Sequence, residues 1–159
     1  MRVLRRALLF TQRCIVTNLS IRWKEMEAYY KKHAPEGALP LAHRLKVLSG
    51  VEACSFYRHR ACVNGSWVVL PDFGKDDEFR YSAKEHGPGV MYIIDEVHIW
   101  FSARRWQQSP RAALDYMTLE DKIGDQVFLI TQNLGQVDKQ FRTLSNEYIE
   151  VVNRGRELF

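Results

Sequence analysis

The sequence has little cysteine, and the cysteines that it has follow no known pattern. There are three, Cys14, Cys54 and Cys62, an odd and sparse set that does not suggest a disulfide framework. Cys54 and Cys62 lie eight positions apart with His59 between them, a spacing that matches none of the common zinc patterns. A reducing cytosol is therefore the simplest setting for this chain.

Long apolar runs, internal repeats and low-complexity segments are also missing. No stretch approaches the ~20 apolar residues that a membrane-spanning helix needs, and the apolar run Ala7–Phe10 is too short for the core of a signal peptide. Lys and Arg number 23 and Asp and Glu 19, so the net charge is +4. That mild excess permits contact with nucleic acid or anionic lipid without requiring either. With 159 residues, of which 46% are apolar, the chain is expected to form one soluble domain with a real core.

The second half of the chain, residues 87–159, reads as alternating strands and helices. Continuous apolar runs predict strands at Val90–Ile94, Val127–Ile130 and Tyr148–Val152. Ser109-Pro110 opens a predicted helix that ends at Gly124. Two apolar stripes at helical spacing lie between the strands: Ala112, Tyr116, Leu119 and Ile123, and then Val137, Phe141 and Leu144. Apolar strands that do not alternate indicate a parallel sheet covered on both faces.

The first half is less regular. Residues 1–21 read as the later part of a helix, Arg2–Thr11, followed by a short strand at Ile15–Thr17. Across residues 22–86 the predicted elements are helices at Trp23–Lys32 and Leu41–Leu48, a hairpin that turns at Asn64-Gly65 between Phe56–Val63 and Trp67–Leu70, and a charged loop at Lys75–Glu85.

Polar residues directly follow two of the predicted strands. Asp95 and Glu96 come after Val90–Ile94, and Thr131 and Gln132 come after the next strand. Parallel sheets bind ligands at the carboxyl ends of their strands, so these side chains fall where a ligand is expected. In phosphate-loop nucleotide hydrolases an apolar strand ends in Asp-Glu, where the Asp helps to hold Mg²⁺ and the Glu polarises the attacking water.

Other interpretations of these residues stay open. A strand can end in solvated acids without any ligand, and Gln132 suits a helix cap or a loop as well. The tetrapeptide Asp95-Glu96-Val97-His98 also resembles the DExH box of helicases, but 159 residues leave no room for the second motor domain of such an enzyme. His98 is expected at the edge of the core rather than on a metal.

The phosphate-binding loop that normally accompanies such an acidic pair does not occur. Its pattern is G-x-x-x-x-G-K-[ST], in which the glycines let backbone N–H groups converge on the phosphates. The only Gly-Lys is Gly74-Lys75, with Asp76 where Ser or Thr is required and Val69 where the first Gly is required. Because Arg2–Thr11 reads as the tail of a first helix, we expect the first strand and its loop to lie upstream of this chain. The predicted fold class is α/β, a phosphate-loop NTPase-like parallel sheet with flanking helices, without its first strand and phosphate loop.

Three stretches together resemble the zonula occludens toxin family, the assembly ATPases of filamentous phages. They are IVTNLSI, YIIDEVHIWFSAR and VFLITQNLGQVDKQFRTLSNEYIEV. Members of that family similarly show an apolar strand with DE-x-H, aromatics and an Arg, then a strand that ends in TQ, a Val-Asp or Ile-Asp, and an Arg-containing helix. The resemblance covers roughly residues 12–21 and 88–153. It implies one NTPase domain over 1–159, truncated relative to longer members, with 22–86 as a family-variable insert.

The resemblance also implies a role for each matched residue. Asp95 would hold Mg²⁺ and the nucleotide, Glu96 would act on the catalytic water and Gln132 would sense the γ-phosphate. Thr131 would contact the nucleotide beside Gln132, and Arg142 would stabilise transition-state charge across a subunit boundary. The implied cofactor is Mg-ATP, although the missing loop counts against ATP binding by this chain.

Partners and a location follow from the same resemblance. They are a homo-oligomer, phage assembly proteins and phage DNA, at the cytoplasmic face of the bacterial inner membrane, which longer members reach through segments that this chain lacks. The alternative is a non-catalytic prophage remnant or an interaction module, in which a basic and aromatic surface at Arg104–Trp106 contacts protein or nucleic acid. Trp100, Phe101 and Trp106 are otherwise expected to be packing residues.

Overall fold

A computed structural model describes residues 2–63, 66–69, 82, 84, 87 and 89–150. The helices are Arg2–Phe10 (α1), Trp23–His33 (α2), Leu41–Arg44 (α3), Gly50–Ala53 (α4), Arg111–Met117 (α5), Glu120–Ile123 (α6) and Lys139–Leu144 (α7). The strands are Cys14–Thr17 (β1), Leu45–Val47 (β2), Arg60–Val63 (β3), Ser66–Val69 (β4), Val90–Ile94 (β5) and Gln126–Leu129 (β6). Short 3-10 turns lie at Phe56–His59, Val97–Ile99, Ala103–Gln108 and Leu134–Gln136. Within this described part of the chain, no helix has the length and apolar character needed to cross a membrane.

A four-stranded sheet in the order β2-β1-β5-β6 forms the centre of the molecule. All of its pairings are parallel: Ile15 of β1 lies opposite Leu45 of β2 and Met91 of β5, and Met91 also lies opposite Gln126 of β6. The predicted fold class is confirmed, because helices flank this parallel sheet in an α/β NTPase-like arrangement.

Each face of the sheet is covered by its own hydrophobic cluster. Alternate side chains of a strand point to opposite faces, so one apolar run supplies both clusters. One cluster contains Leu4, Ala7 and Leu8 of α1, Met26 and Tyr30 of α2, and Ile15, Met91 and Ile93 of the sheet. The other contains Val16, Tyr92 and Ile94 of the sheet, Phe56, Phe101, Tyr116 of α5 and Phe141 of α7. The helices therefore form a layer on each side of the sheet.

The strands differ in how completely they are covered. Every residue of β1 and β5 is buried, whereas β6 has an exposed Gln126 followed by half-buried Val127, Phe128 and Leu129. Among the residues that the structure describes, β6 pairs only with β5, so it is an edge strand.

The predicted helices at Arg2–Thr11 and Trp23–Lys32 and the predicted strand at Ile15–Thr17 are confirmed to within one residue at each end. The predicted helix at Leu41–Leu48 is wrong, because the helical turn ends at Arg44 and Leu45–Val47 forms β2. Pairing of β2 with β1 satisfies backbone groups that a longer helix would have satisfied internally. Three residues are too few to show the alternation of polar and apolar residues that is typical of a strand. The helical pattern that starts at Leu41 therefore extended the predicted helix across them.

The predicted hairpin is confirmed in its pairing. β3 and β4 are antiparallel, with Val63 opposite Ser66, and the predicted Asn64-Gly65 turn between them lies outside the described residues. The predicted strand at Phe56–Val63 is too long, since Phe56–His59 is a 3-10 turn that buries Phe56 in the core. The predicted loop at Lys75–Glu85 lies almost wholly outside the described residues.

The helix predicted from Ser109-Pro110 to Gly124 is broken in two. It starts at Arg111 and stops at Met117, and a separate turn, α6, precedes Gly124, whose φ of +80° ends it as predicted. Ser109 is not the N-cap, because its hydroxyl donates to Asp138 Oδ2 at 2.7 Å. The apolar stripe of this helix was predicted to begin at Ala112. In the structure Ala112 is exposed and the next residue, Ala113, is buried instead.

The strand predicted at Tyr148–Val152 is wrong over the residues described. Residues 148–150 are exposed and belong to no strand, and residues 151 and 152 lie outside the described part. Local contacts hold this segment at the ends of helices instead. Asn146 Nδ2 donates to Asp121 Oδ2 at 3.1 Å, and the Tyr148 hydroxyl donates to the Arg142 carbonyl oxygen.

Candidate functional site

The carboxyl ends of three neighbouring strands carry polar side chains at one edge of the sheet. Asn18 follows β1, Asp95 and Glu96 follow β5, and Thr131 and Gln132 come shortly after β6. The parallel pairing of β1, β5 and β6 puts all three ends together, as the sequence predicted for the last two.

Backbone hydrogen bonds continue between β5 and β6 beyond the last paired residues. The Ile130 amide donates to the Ile94 carbonyl oxygen at 2.8 Å, and the Val97 amide donates to the Ile130 carbonyl oxygen at 3.1 Å. These main-chain bonds enclose the acidic pair between Ile94 and Val97 and help to fix its position relative to Thr131.

Glu96 has an unusual backbone conformation. Its φ and ψ are 53° and 38°, in the left-handed region, and it is the only non-glycine residue with positive φ among those described. L residues enter this region at a cost of about 1 kcal/mol or more, and such outliers concentrate at functional sites. The Glu96 amide donates to Asp95 Oδ1 at 2.9 Å, a bond that helps to hold the turn.

The Glu96 carboxylate is engaged by residues from both strand ends. Gln132 Nε2 donates to Glu96 Oε1 at 2.6 Å. Glu96 Oε2 lies 3.3 Å from His98 Nδ1, which in turn lies 3.3 Å from Thr131 Oγ1. Oε2 is buried and close to His98 without being aligned for a hydrogen bond, so it has no hydrogen-bond partner in the described structure.

Asp95 is anchored through its backbone and keeps part of its side chain available. Its amide donates to Asn18 Oδ1 at 2.7 Å, and its carbonyl oxygen accepts from Asn18 Nδ2 at 3.0 Å. Its Oδ1 accepts from the Glu96 amide, and its Oδ2 accepts no hydrogen bond from the described residues. A carboxylate oxygen of this kind suits Mg²⁺, which usually keeps several waters and takes only one or two protein carboxylates.

No cage of protein ligands exists in the described part of the chain, where no three His, Cys, Asp or Glu side chains converge. Asp95 and Glu96 are the residues at this edge that could hold a Mg²⁺ ion, which usually keeps several waters in proteins.

Arg142 is not part of this cluster. Its Nε donates to the carbonyl oxygen of Val137, just before α7, at 3.1 Å. Among the described residues, no hydrogen bond or ion pair joins Arg142 to the acidic pair or to Gln132. It lines a surface cavity of about 280 Å³ together with Ala103, Asp138, Lys139 and Gln140.

Two members of the cluster were missed from the sequence. His98 was placed at the edge of the core, and its partly buried ring does lie there, but it also contacts Glu96 and Thr131. Asn18 was not predicted to be a site residue. It is nevertheless a polar residue directly after an apolar strand, which is the pattern that identified Asp95 and Gln132.

The aromatic residues after the acidic pair pack behind it. Phe101 is buried and stacks on Phe141 of α7 with ring centroids 4.2 Å apart, and Trp100 packs partly buried against the same cluster. These two packing predictions are confirmed. The Trp106 side chain lies outside what the structure describes.

A second unusual carboxyl group lies away from this edge. Glu120 of α6 precedes β6, so it sits near the amino end of that strand, and the residue is only 9% exposed. Burial, reinforced by Asp121 and Asp125, raises the pKa of Glu120 to about 7. Its Oε2 has no hydrogen-bond partner in the described structure. We therefore expect this carboxyl group to lower the stability of the fold rather than to bind a ligand.

Glu120 should therefore make folding stability fall as the pH rises. Between the ordinary pKa of 4.5 and the folded-state pKa of about 7, the folded chain keeps a proton that the unfolded chain releases. The free energy of unfolding then declines across that window and stays low above it, by roughly 1 to 3 kcal/mol. We expect Glu120→Gln to flatten this decline and to stabilise the protein by that amount at pH 8.

Urea unfolding at a series of pH values measures this effect. Glu147→Gln, at an exposed glutamate, is the matched control and should keep the wild-type pH profile. An unchanged slope in Glu120→Gln would contradict the assignment.

An all-parallel sheet with helices on both faces and an acidic pair at its carboxyl edge places the chain in the class of α/β NTPase-like proteins. More narrowly, a family model described as Zonular occludens toxin (Zot) matches residues 4–156, and the chain belongs to that family. No curated protein and no solved structure matches the chain.

Proposed function

We propose that this domain binds Mg-ATP at the carboxyl edge of its sheet and serves as the NTPase domain of a filamentous-phage or prophage assembly and export protein. One observation carries the proposal: Glu96 and Gln132 follow neighbouring parallel strands and are hydrogen-bonded at 2.6 Å, with Asp95 directly beside them. Membership of the Zot family supports the phage setting.

Each residue of the cluster has a role in this proposal. Asp95 holds the metal through Oδ2, directly or through water. Glu96 accepts a proton from the attacking water through its carboxylate. Gln132 orients that water and keeps the Glu96 side chain in place through Oε1. Mg²⁺ held there by Asp95 would supply charge neutralisation on the phosphate oxygens.

The phosphates need contacts from outside residues 1–159, because the phosphate-loop pattern does not occur in them. A homo-oligomer is one source of added contacts. Arg142 supports this arrangement, since its position away from Glu96 and Gln132 suits a role at a neighbouring subunit rather than at its own site. Phage assembly proteins and phage DNA are the proposed partners, at the cytoplasmic face of the bacterial inner membrane.

Glu96→Gln tests the assigned chemistry. The substitution keeps the shape of the side chain and removes the proton acceptor, so Mg-ATP binding should persist while hydrolysis falls about 100-fold or more. Binding is measured as a rise in the thermal unfolding midpoint of a few °C at millimolar Mg-ATP. Hydrolysis is measured as phosphate release.

Two further variants make the test specific. Asp95→Asn should remove the Mg²⁺ dependence of the thermal shift, and Glu147→Gln, at an exposed glutamate, should behave like the wild type. Absence of any nucleotide-dependent shift in the wild-type chain would rule out the ATPase proposal for this chain.

A non-catalytic interaction module is the second candidate, and the missing phosphate loop favours it. Arg104 and Arg105 are exposed beside exposed Gln107 and Gln108, which gives a polar, basic surface in the segment that follows the acidic pair along the chain. In that case Glu96→Gln would leave an export or complementation assay unchanged, whereas reversing the charge of Arg104 and Arg105 would impair it.

A further inference from the structure

Asn18 makes a two-way contact with the backbone that precedes the catalytic candidates. Its Nδ2 donates to the Asp95 carbonyl oxygen at 3.0 Å, and its Oδ1 accepts from the Asp95 amide at 2.7 Å. Both bonds go to main-chain atoms of one residue, 77 positions away in the sequence. A side-chain amide offers a donor and an acceptor in one plane, as this contact requires.

The contact extends the sheet where its backbone pairing stops. Thr17 is the last residue of β1 and lies opposite Ile93, and its hydroxyl donates to the Ile93 carbonyl oxygen at 2.6 Å. The Leu19 amide then donates to Thr17 Oγ1 at 3.1 Å, which turns the main chain away from β5. Asn18 replaces the lost peptide group with its side chain, so the ladder between the two strands reaches Asp95.

A continuous series of bonds leads from this anchor to the Glu96 carboxylate. Asn18 fixes the Asp95 backbone, and Asp95 Oδ1 accepts from the Glu96 amide at 2.9 Å. Glu96 has the left-handed backbone that directs its carboxylate to Gln132 Nε2 at 2.6 Å. A strained conformation persists only when its surroundings determine it, and Asn18 is the side chain that holds the residue before it.

We infer that Asn18 is a positioning residue of the candidate site: it fixes the Asp95 backbone and thereby holds the Glu96 carboxylate against Gln132. The consequence for catalysis rests on the proposed function, but the positioning itself is a property of the folded chain. Asn18 touches neither Glu96 nor Gln132 through any bond that the structure describes, so an effect of Asn18 on their contact must pass through Asp95.

The test is the NMR signature of the Glu96–Gln132 contact at one fixed pH. In Asn18→Ala we expect the Gln132 side-chain amide resonances and the Glu96 carboxyl carbon resonance to move to the values of solvent-exposed groups. Asn18→Asp keeps the size and the acceptor but loses the donor and repels the Asp95 carbonyl oxygen, so it should produce the same displacement.

Asn146→Ala is the matched control, because it removes an exposed asparagine bond, to Asp121, that is unconnected with the site. It should leave the Glu96 and Gln132 resonances in place. Two variants at position 18 guard against one that fails to fold. Unmoved resonances in a folded Asn18→Ala or Asn18→Asp protein overturn the inference.

Mg-ATP added to the same samples separates this inference from the proposed function. Displaced resonances in the Asn18 variants, with no Mg-ATP response in the unaltered chain, would uphold the positioning role and reject the ATPase. If the unaltered chain hydrolyses ATP, Asn18→Ala should lower kcat about 10-fold while changing KM less than about 3-fold, because an oriented base acts in the transition state.

Discussion

Replacing Arg44 by methionine is expected to lower the free energy of unfolding by about 3 kcal/mol or more. Arg44 is fully buried, yet no carboxylate among the described residues pairs with it. Its guanidinium donates to the Leu8 carbonyl oxygen at 2.8 Å, to the Tyr30 hydroxyl at 2.7 Å, and to the carbonyl oxygens of Thr11 and Arg13. Methionine fills much of the volume but leaves these oxygens without a donor, and each buried unpaired acceptor costs roughly 1 to 3 kcal/mol.

The arrangement also explains why a cation is tolerated there. The Leu8 carbonyl belongs to the last turn of α1, where helix carbonyls lack intrahelical partners and carry partial negative charge. Arg44 thus ties the end of α1 to α2 and to the chain that leads into β1. Arg44→Lys keeps the charge but not the planar fork of donors, so an intermediate loss is expected.

Urea unfolding of Arg44→Met, Arg44→Lys and Arg5→Met measures these differences. Arg5 is an exposed arginine on α1 whose guanidinium lies 4.6 Å from the centre of the Tyr29 ring, so its loss should cost about 1 kcal/mol or less. If Arg44→Met and Arg5→Met lower the free energy of unfolding equally, the prediction is wrong, and water must hydrogen-bond to the oxygens that Arg44 leaves.

Gly89→Ala is expected to be the most damaging single-methyl change in the described part of the chain, with a loss of roughly 4 kcal/mol or complete failure to fold. A Cβ at this position would lie 1.9 Å from the Gly124 carbonyl oxygen and 2.7 Å from the Asp125 amide nitrogen. These are main-chain atoms, so no side chain can rotate away to relieve the clash.

The surroundings of Gly89 make movement costly as well. The Asp125 carboxylate accepts from the Val90 amide at 2.7 Å, and Arg13 Nη1 donates to the same Gly124 carbonyl oxygen at 2.6 Å. Separating the two backbones would therefore break the bonds that align the starts of β5 and β6.

Gly87→Ala is the matched control for Gly89→Ala. Both glycines have positive φ, +78° and +92°, but a Cβ at Gly87 would meet nothing within 4 Å. Its substitution should cost only the left-handed conformation, about 1 kcal/mol. Thermal or urea unfolding of the two variants separates the backbone strain from the clash, and equal losses would contradict the close approach at Gly89.

The central strands could be predicted from the sequence because their burial leaves a local signature. A strand covered on both faces needs an apolar side chain at every position, which is what Val90–Ile94 shows. Once the sheet is parallel, the juxtaposition of Glu96 with Gln132 follows from topology alone, since both come after neighbouring strands.

The remaining features depend on partners that the local sequence does not contain. Leu45–Val47 becomes a strand only because β1 lies beside it. Asn18 acts on Asp95, and Arg44 acts on carbonyl oxygens, which every residue has and no sequence pattern marks. The left-handed backbone of Glu96 was equally invisible, because glutamate has no preference for that conformation.

The edge position of β6 has a consequence for how the site opens. Glu96 follows the interior strand β5, while Gln132 follows β6, whose side chains are half-buried and which has one neighbour in the described sheet. Local opening costs less free energy at an edge strand than in the interior of a sheet. We therefore expect release of the Glu96 carboxylate from Gln132 by fraying of β6 to cost less free energy than release of Asp95 from Asn18.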